Sequence, residues 1–188
     1  GTSNADSLYG TTAAETLEAF GGADTIDGGG GADTIDGGQG NDTVTLRAVE
    51  ATIIGGAGVD TLVVDNTVAS LTTVALGAAG NQLTGPAVTT AFGFENVDAS
   101  QMSTNLIVTD NAATTSILTG SGGDTITVTL AGATTINSGA GVDAITLNRA
   151  LGVFTIEAAS GTNTITIANN GGTATVAGGT GIDNIINN

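Results

Sequence analysis

Residues 28–45 read GGGGADTIDGGQGNDTVT and contain one nine-residue pattern twice, Gly-Gly-x-Gly-x-Asp-x-apolar-x. The preceding block, 19–27, keeps the last six positions of this pattern. Glycine at the first, second and fourth positions permits positive φ angles, so the chain can turn its carbonyl oxygens inward. Aspartate at the sixth position adds an anionic oxygen, and hard oxygen ligands suit Ca²⁺. The apolar eighth position begins a short strand whose inward side chain fills a narrow core.

The nine-residue spacing holds over residues 1–72. Its eighth positions are all aliphatic: Leu8, Leu17, Ile26, Ile35, Val44, Ile53, Leu62 and Leu71. A repeat of this length, with glycine turns and one inward apolar residue, is typical of a parallel β-helix in which successive coils stack. We therefore predict an all-β solenoid with stacked calcium-binding turns, in which each nonapeptide forms half a coil.

Half-coils place turns that are eighteen residues apart on the same edge, so the sixth positions form two columns. One column is uninterrupted: Asp6, Asp24, Asp42 and Asp60. The other loses its carboxylates halfway: Glu15, Asp33, Ala51 and Ala69. We expect a continuous file of calcium sites along the first edge, and calcium on the second edge only near Glu15 and Asp33.

The period changes after residue 72, but we expect one continuous solenoid over residues 1–188. The spacing fails over 73–99, which we interpret as a bulged or inserted coil with a turn at Gly85-Pro86. We expect Phe92-Gly93-Phe94 to be an aromatic packing plug rather than a ligand pocket. Wider coils follow over 100–188, with repeats that begin at residues 119, 138, 158 and 178, which are 19 to 20 residues apart.

The wide coils carry polar sixth positions at one edge only. These positions are Asp124, Asp143, Asn163 and Asp183, and we expect Asn105 to head the same column. Alternation over residues 125–130 predicts that Ile126, Val128 and Leu130 point inward and the threonines outward. The flat threonine-rich faces are accounted for by the β-propensity of threonine.

Each calcium ion is expected to lie between two stacked turns, where carbonyl oxygens and sixth-position side chains surround it. The candidate side-chain ligands are Asp6, Glu15, Asp24, Asp33, Asp42, Asp60, Asp124, Asp143, Asn163 and Asp183. The candidate turn glycines are Gly22, Gly29, Gly31, Gly38, Gly40, Gly56, Gly58, Gly122, Gly141, Gly179 and Gly181. The intervals between stacked turns predict about seven ions. Their charge of about +14 would nearly cancel the formal charge of −16.

The composition argues against several classes of function. Two arginines, no lysine and 18 acidic residues disfavour nucleic acid and anionic membrane partners, which need cationic contacts. No uninterrupted apolar stretch is long enough for membrane insertion. The absence of His, Cys and Lys removes the usual general bases and the thiol and amine nucleophiles, so we expect no enzyme activity. With this charge and so little core, the metal-free chain is expected to be disordered.

The nonapeptides at 1–9, 19–45, 55–63, 119–127, 138–146 and 178–186 resemble the RTX repeat family of secreted bacterial proteins. This resemblance implies a right-handed parallel β-helix, or β-roll, that folds when it binds Ca²⁺ outside the cell. It also implies an extracellular or bacterial cell-surface location. The combination of strict repeats with wide coils rich in threonine and alanine is most similar to RTX-containing surface-layer proteins and adhesins.

Three functions are consistent with these observations. We favour a calcium-dependent structural or assembly module of a surface-layer, adhesin or fibre-forming protein. The alternatives are an accessory folding module of a type I-secreted enzyme and an ice-binding solenoid, although the third positions of the turns are too irregular for a simple ice lattice.

The two ends of the sequence also suggest self-association. We expect Asp6 and Asp183 to lie on the same calcium edge, each as half of a site that end-to-end stacking would complete. The alternative is that these residues belong to a longer solenoid.

Overall fold

The computed structural model describes residues 1–47, 50–85, 89–130, 132–148, 152–168 and 172–188. These residues form β-strands and turns without a helix. All pairings between strands of successive coils are parallel, so the predicted parallel β-solenoid is confirmed. Within the described ranges there is accordingly no helix that could cross a membrane.

One face of the solenoid is a single sheet of nine strands, which we call the continuous face. In stacking order its strands are β1 (Ser7–Tyr9), β3 (Thr25–Asp27), β5 (Thr43–Leu46), β7 (Thr61–Val64), β11 (Asn96–Asp98), β13 (Ser116–Leu118), β15 (Thr134–Asn137), β18 (Val153–Glu157) and β21 (Thr173–Ala177). The register steps by 18 residues from Ser7 to Thr25 and again to Thr43, as half-coils of nine residues require.

The opposite face consists of two sheets, which we call the split face. The first sheet contains β2 (Thr16–Glu18), β4 (Thr34–Gln39), β6 (Thr52–Ala57) and β10 (Thr90–Phe92). The second contains β8 (Thr73–Ala75), β9 (Leu83–Thr84), β12 (Ile107–Thr109), β14 (Thr125–Val128), β17 (Ala144–Asn148), β20 (Thr164–Ala168) and β23 (Asn184–Asn187). The Gln82 amide donates to the Ala91 carbonyl at 2.7 Å, so the two sheets adjoin.

A third, narrow sheet lies in the turns of the wide coils. Its strands are β16 (Ala140–Gly141), β19 (Ser160–Gly161) and β22 (Thr180–Gly181). They lie directly before β17, β20 and β23, so the wide coils extend their hydrogen bonding into the turns that lead to the split face.

The core is a narrow file of aliphatic side chains between the two faces. The eighth-position residues Ile26, Ile35, Val44, Ile53 and Leu62 are completely buried, whereas Leu8 and Leu17 are partly buried. Leu71 is also buried but lies outside the strands.

The alternating pattern over residues 125–130 predicted a strand that is longer than the observed β14. Ile126 and Val128 are buried as predicted, but Leu130 is 52% exposed, and its inward orientation was predicted wrongly. The strand ends at Val128, and the Leu130 amide donates instead to Asp110 Oδ2 at 2.7 Å.

The irregular section is an insertion within one coil. The register on the continuous face steps by 35 residues, from Thr61 to Asn96, rather than by 18. The additional residues include the antiparallel pair β8 and β9. Phe94 is completely buried, and its amide donates to the buried Gln82 at 3.0 Å. Pro86 of the predicted turn lies outside the described residues.

Among the described residues, one residue with a φ angle in the left-handed region is not glycine. Phe20 has a φ of 71°, in the left-handed region, where the equivalent positions are Gly29, Gly38 and Gly56. A side chain in this region costs roughly 1–2 kcal/mol, because Cβ approaches the following carbonyl oxygen. Since the Phe20 side chain is 60% exposed, its packing offsets little of that cost.

Replacement of Phe20 by glycine should therefore stabilise the fold. We expect Phe20→Gly to raise the free energy of unfolding in saturating calcium by about 1 kcal/mol. Phe92→Gly is the control, because Phe92 lies in β10 opposite Ile54 and its loss should lower the free energy. Chemical denaturation measures both, and a Phe20→Gly chain no more stable than the original would contradict the assignment of strain.

Candidate metal centre

Backbone-to-carboxylate hydrogen bonds connect the turns that lead into the continuous face. The amide of Asp6 donates to Asp24 Oδ1 at 2.7 Å, that of Asp24 to Asp42 Oδ1 at 2.8 Å, and that of Asp42 to Asp60 Oδ1 at 2.8 Å. Asp24, Asp42 and Asp60 are all buried. We call this series ladder 1; it brings together the predicted uninterrupted column.

Ladder 1 continues to a residue that the repeat pattern did not identify. The amide of Asp60 donates to Glu95 Oε2 at 2.8 Å. Asn96 is opposite Thr61, so Glu95 occupies the position that follows Asp60. The insertion of residues between these coils removes Glu95 from the nine-residue spacing. Its position directly before a strand, like that of each aspartate, is the signal that could have found it.

The turns that lead into the first part of the split face carry a second series, ladder 2. The amide of Glu15 donates to Asp33 Oδ1 at 2.8 Å. The sequence predicted that carboxylates are lost from this column after Asp33, because the next sixth position is Ala51. The residue before it, Glu50, is however buried and lies beside Asp33. Burial and the charge of Asp33 raise the pKa of Glu50 to about 7. The loss of carboxylates after Asp33 was therefore predicted one turn too early.

The wide coils form ladder 3, which contains Asp124, Asp143, Asn163 and Asp183. The backbone amide of Asp124 donates to Asp143 Oδ1 at 2.9 Å, and that of Asp143 donates to Asn163 Oδ1 at 3.0 Å. The backbone amide of Asn163 donates to Asp183 Oδ1 at 3.2 Å. The predicted wide-coil residues thus form one file.

Asn105 does not head ladder 3, and that prediction is wrong. Leu106 donates its amide to Asp124 Oδ1 at 2.8 Å, because β12 pairs with β14 in a register of 18 residues rather than 19. The Asn105 side chain instead accepts a hydrogen bond from Gly123 at 2.9 Å. Asn41 makes the same kind of contact with Val59, at 3.1 Å.

The ladders do not all lie on one edge. Ladder 1 precedes strands of the continuous face, whereas ladders 2 and 3 precede strands of the split face. Asp6 and Asp183 are therefore on opposite edges, and the prediction that they share one is wrong. The spacing within each section is regular, but the spacing before the insertion does not predict which edge the repeats after it occupy.

Each buried aspartate of the ladders uses only one carboxylate oxygen. The second oxygen is buried without a hydrogen-bond partner among the described residues in Asp24, Asp33, Asp42, Asp60, Asp124 and Asp143. An unpaired buried anionic oxygen is unfavourable unless a cation compensates it. If adjacent coils are about 4.8 Å apart, neighbouring carboxylates repel by roughly 3 kcal/mol at an effective dielectric constant of 20.

First-position glycines keep space open beside these oxygens. A Cβ on Gly37 would lie 2.7 Å from Asp42 Oδ2, and one on Gly28 would lie 2.6 Å from Asp33 Oδ2. The sequence pattern includes these first-position glycines, but the candidate turn glycines were chosen from the second and fourth positions only. A cation beside each free oxygen would occupy space that no side chain can fill, so the ladders fit calcium.

The predicted turn glycines shape the backbone around this space. Positive φ angles occur at Gly22, Gly29, Gly31, Gly38, Gly40, Gly56, Gly58, Gly141, Gly179 and Gly181. Gly122 is not among them, but a Cβ there would lie 2.5 Å from the Thr104 carbonyl carbon. Gly139 and Gly161 also have positive φ and were missed.

The described residues contain no cluster of three or more His, Cys, Asp or Glu side chains that could hold a metal. An ion between two turns would therefore have at most two carboxylate ligands. Backbone carbonyl oxygens and water would have to complete the six to eight oxygens that Ca²⁺ takes. The glycine turns, which direct carbonyls inward, are suited to this.

Asn163 differs from the aspartates of the ladders. Its Nδ2 donates to Asp183 Oδ1 at 2.9 Å and to the Ala158 carbonyl at 3.4 Å. The amide nitrogen thus occupies the position of the free oxygen and is satisfied without a cation. The site beside Asn163 is consequently expected to be weaker than those between aspartates.

Comparison with known families agrees with this geometry. Residues 9–44 match the model of the RTX calcium-binding nonapeptide repeat (4 copies). RTX repeats bind calcium, and the matched segment contains turns of ladders 1 and 2, so the match supports calcium binding in this part of the chain. Ladder 3 lies outside the matched residues, and its assignment rests on the shared hydrogen-bonding pattern. No curated protein matches the chain.

Substitution of Asp42 tests the ladder directly. Asp42→Asn keeps the Oδ1 acceptor for Asp24 but replaces the free oxygen by the kind of amide found at Asn163. We expect a severalfold higher calcium midpoint for folding, because the charge at this position is lost. Asp65→Asn is the control, because Asp65 lies outside the ladders and accepts a hydrogen bond from Arg47 at 2.9 Å. The calcium midpoint of this variant should shift less than that of Asp42→Asn. Equal shifts in calcium titrations would contradict the ladder.

Protonation of buried ladder carboxylates should stabilise the calcium-free fold, and so partly replace the effect of calcium. Burial raises the pKa of Asp60 to about 6, and the charge of Asp42 adds to the shift. The folded metal-free chain therefore holds protons more tightly than the unfolded chain, whose aspartates titrate near pH 4. Its stability is greatest below about pH 4 and falls as the pH rises through 6.

Circular dichroism in calcium-free buffer measures this effect. We expect a stronger β-signal at pH 4.5 than at pH 7.5, and no such difference in saturating calcium. Asp27, whose pKa is lowered by its hydrogen bonds to Arg47, remains ionised across this interval and does not reverse the sign. A β-signal that rises with pH in calcium-free buffer would contradict the assignment.

Proposed function

We propose that the chain is a calcium-dependent structural module of an extracellular bacterial protein, of the surface-layer or adhesin kind. The observation that carries the proposal is the set of ladders, in which buried carboxylates each keep one oxygen unpaired within a chain of formal charge −16. Calcium would neutralise this charge and join successive coils. No catalytic role is assigned to the chain.

In this proposal most of the folding free energy is metal-binding free energy. Extracellular calcium modules bind with dissociation constants of roughly 10⁻⁴–10⁻³ M. The chain would therefore remain unfolded where calcium is scarce and fold after export.

Circular dichroism and thermal unfolding test the proposal. At pH 7.5 we expect a disordered spectrum in excess chelator and a cooperative β-spectrum in millimolar calcium. Magnesium at the same concentration should be less effective, because Mg²⁺ demands octahedral geometry and retains its waters. An identical β-signal and melting temperature with chelator and with calcium would refute the proposal.

Self-association by stacking of coils forms part of the proposal. Within the described residues, β1 and β2 have one unpaired side, as do β21 and β23, and Ile182 near the latter is 80% exposed. Unpaired strand edges are favourable places for another chain to pair. Stacking β1 on β21 and β2 on β23 would bring Glu15, rather than Asp6, beside Asp183.

Sedimentation velocity with and without calcium measures this association. We expect calcium-dependent oligomers in the original chain and in Asp6→Asn, and a loss of oligomers in Asp183→Asn. The two variants remove the same charge from opposite edges. A chain that stays monomeric in millimolar calcium would contradict the stacking.

Ice binding is a second candidate, which a regular threonine row supports. Thr109, Thr127, Thr146 and Thr166 occupy paired positions in β12, β14, β17 and β20 on the split face. The buried residues before them are Val108, Ile126, Ile145 and Ile165, so the threonines point outward. This regularity is what the third positions of the turns lack. Thermal hysteresis in saturating calcium tests this candidate, and its absence would eliminate it.

A further inference from the structure

Two buried acidic side chains meet where the strict repeats give way to the insertion. Asp33 is completely buried, and Glu50 is 2% exposed. Asp33 Oδ2 and both carboxylate oxygens of Glu50 lack a hydrogen-bond partner among the described residues. Three buried anionic oxygens in one place constitute a larger electrostatic cost than at any single aspartate of the ladders.

These three oxygens surround a common space beside Gly28. A Cβ built on Gly28 would lie 2.6 Å from Asp33 Oδ2 and 3.1 Å from each Glu50 oxygen. Glycine is therefore required here to keep this space open, as at Gly37 beside Asp42. The nonapeptide grid places Ala51 rather than Glu50 at the sixth position of this coil, so the pattern indicates no site.

Arg47 is the only side-chain cation among the described residues. Its charge interacts with that of Glu50, but its guanidinium forms its ion pairs with Asp27 and Asp65 instead. Nε and Nη2 donate to Asp27 at 2.8 and 2.7 Å, and Nη1 donates to Asp65 at 2.9 Å. A hard cation with oxygen ligands suits two buried carboxylates.

We propose that Asp33 and Glu50 hold an additional Ca²⁺ beside Gly28, with Glu50 in the place of a sixth-position aspartate. This inference rests on the calcium dependence proposed above. A glutamate that presents both oxygens to one space is suited to bidentate coordination of Ca²⁺. Glu50 lies outside the residues matched by the repeat model, which end at 44.

The site would connect the strict repeats to the coil that returns from the insertion. The Thr89 hydroxyl donates to the Glu50 carbonyl at 2.6 Å, and the Thr90 amide donates to the Ala51 carbonyl at 3.2 Å. An ion bound by Glu50 would therefore hold the backbone on which β10 pairs. Its expected role is to fix the insertion against the repeats.

Calcium stoichiometry at pH 7.5 tests the inference, by equilibrium dialysis of the original chain, Glu50→Gln and Glu18→Gln. Glu18 is an exposed glutamate of β2 outside the ladders, which makes it a matched control. We expect Glu50→Gln to bind one ion fewer than the original chain, and Glu18→Gln to bind the same number. Equal stoichiometry and midpoint for Glu50→Gln would overturn the site.

A second measurement does not depend on the folding of a variant. In crystals of the original chain grown with calcium, anomalous scattering should show an ion about 2.3–2.6 Å from Asp33 Oδ2 and from the Glu50 carboxylate. Ions in ladder 1 without one beside Glu50 would overturn this site and leave the proposed function intact. A chain that binds no calcium at all would overturn both.

Discussion

The hydrogen bond from one turn to the carboxylate of the turn above it is the interaction on which the structure depends. It recurs from Asp6 to Glu95 and again from Asp124 to Asp183, where Asn163 supplies a carboxamide oxygen at one step, with donor–acceptor distances between 2.7 and 3.2 Å. A charged acceptor strengthens such a bond. It also fixes the orientation of each carboxylate, so that one oxygen satisfies the backbone while the other remains available.

The different roles of the two carboxylate oxygens explain the glycines and the inward carbonyl oxygens of the turn. Because the first oxygen holds the coils in register, the second is buried without a hydrogen-bond partner among the described residues and is left available to a cation. The first-position glycine leaves space for that cation, and the glycines with positive φ direct carbonyl oxygens towards it. The core is narrow, with inward side chains from both faces in one cluster, and it must offset the conformational entropy of many glycines.

Much of the fold could be predicted from the sequence, because each coil repeats the same local chemistry. The buried file from Ile26 to Leu62, the parallel stacking and the 18-residue register all follow from glycine, aspartate and aliphatic residues at fixed spacing. The bounds of the solenoid's sections at residues 72 and 99 remain a prediction, as does the identity of the calcium ligands.

The errors arose where a regular spacing was extended across an irregularity. Glu95 and Glu50 were not predicted because an insertion and a one-residue shift place them outside the nine-residue spacing, although Glu95 accepts the same backbone hydrogen bond as the aspartates. Asn105 was misassigned because a 19-residue step was assumed where the strands pair at 18. The edge occupied by ladder 3 could not be predicted, since it depends on how the chain passes through the insertion. Hydrogen-bond register, rather than sequence spacing, decides these positions.

In the proposed function, folding and calcium binding are one process, driven by the free oxygens of the ladders. The unfolding free energy, measured as a function of free calcium concentration at constant ionic strength, tests this coupling. Linkage relates the slope of that free energy against the logarithm of calcium concentration to the number of ions released on unfolding. We expect a steep slope that corresponds to several ions. A slope of zero, in a chain that is folded throughout, would contradict it.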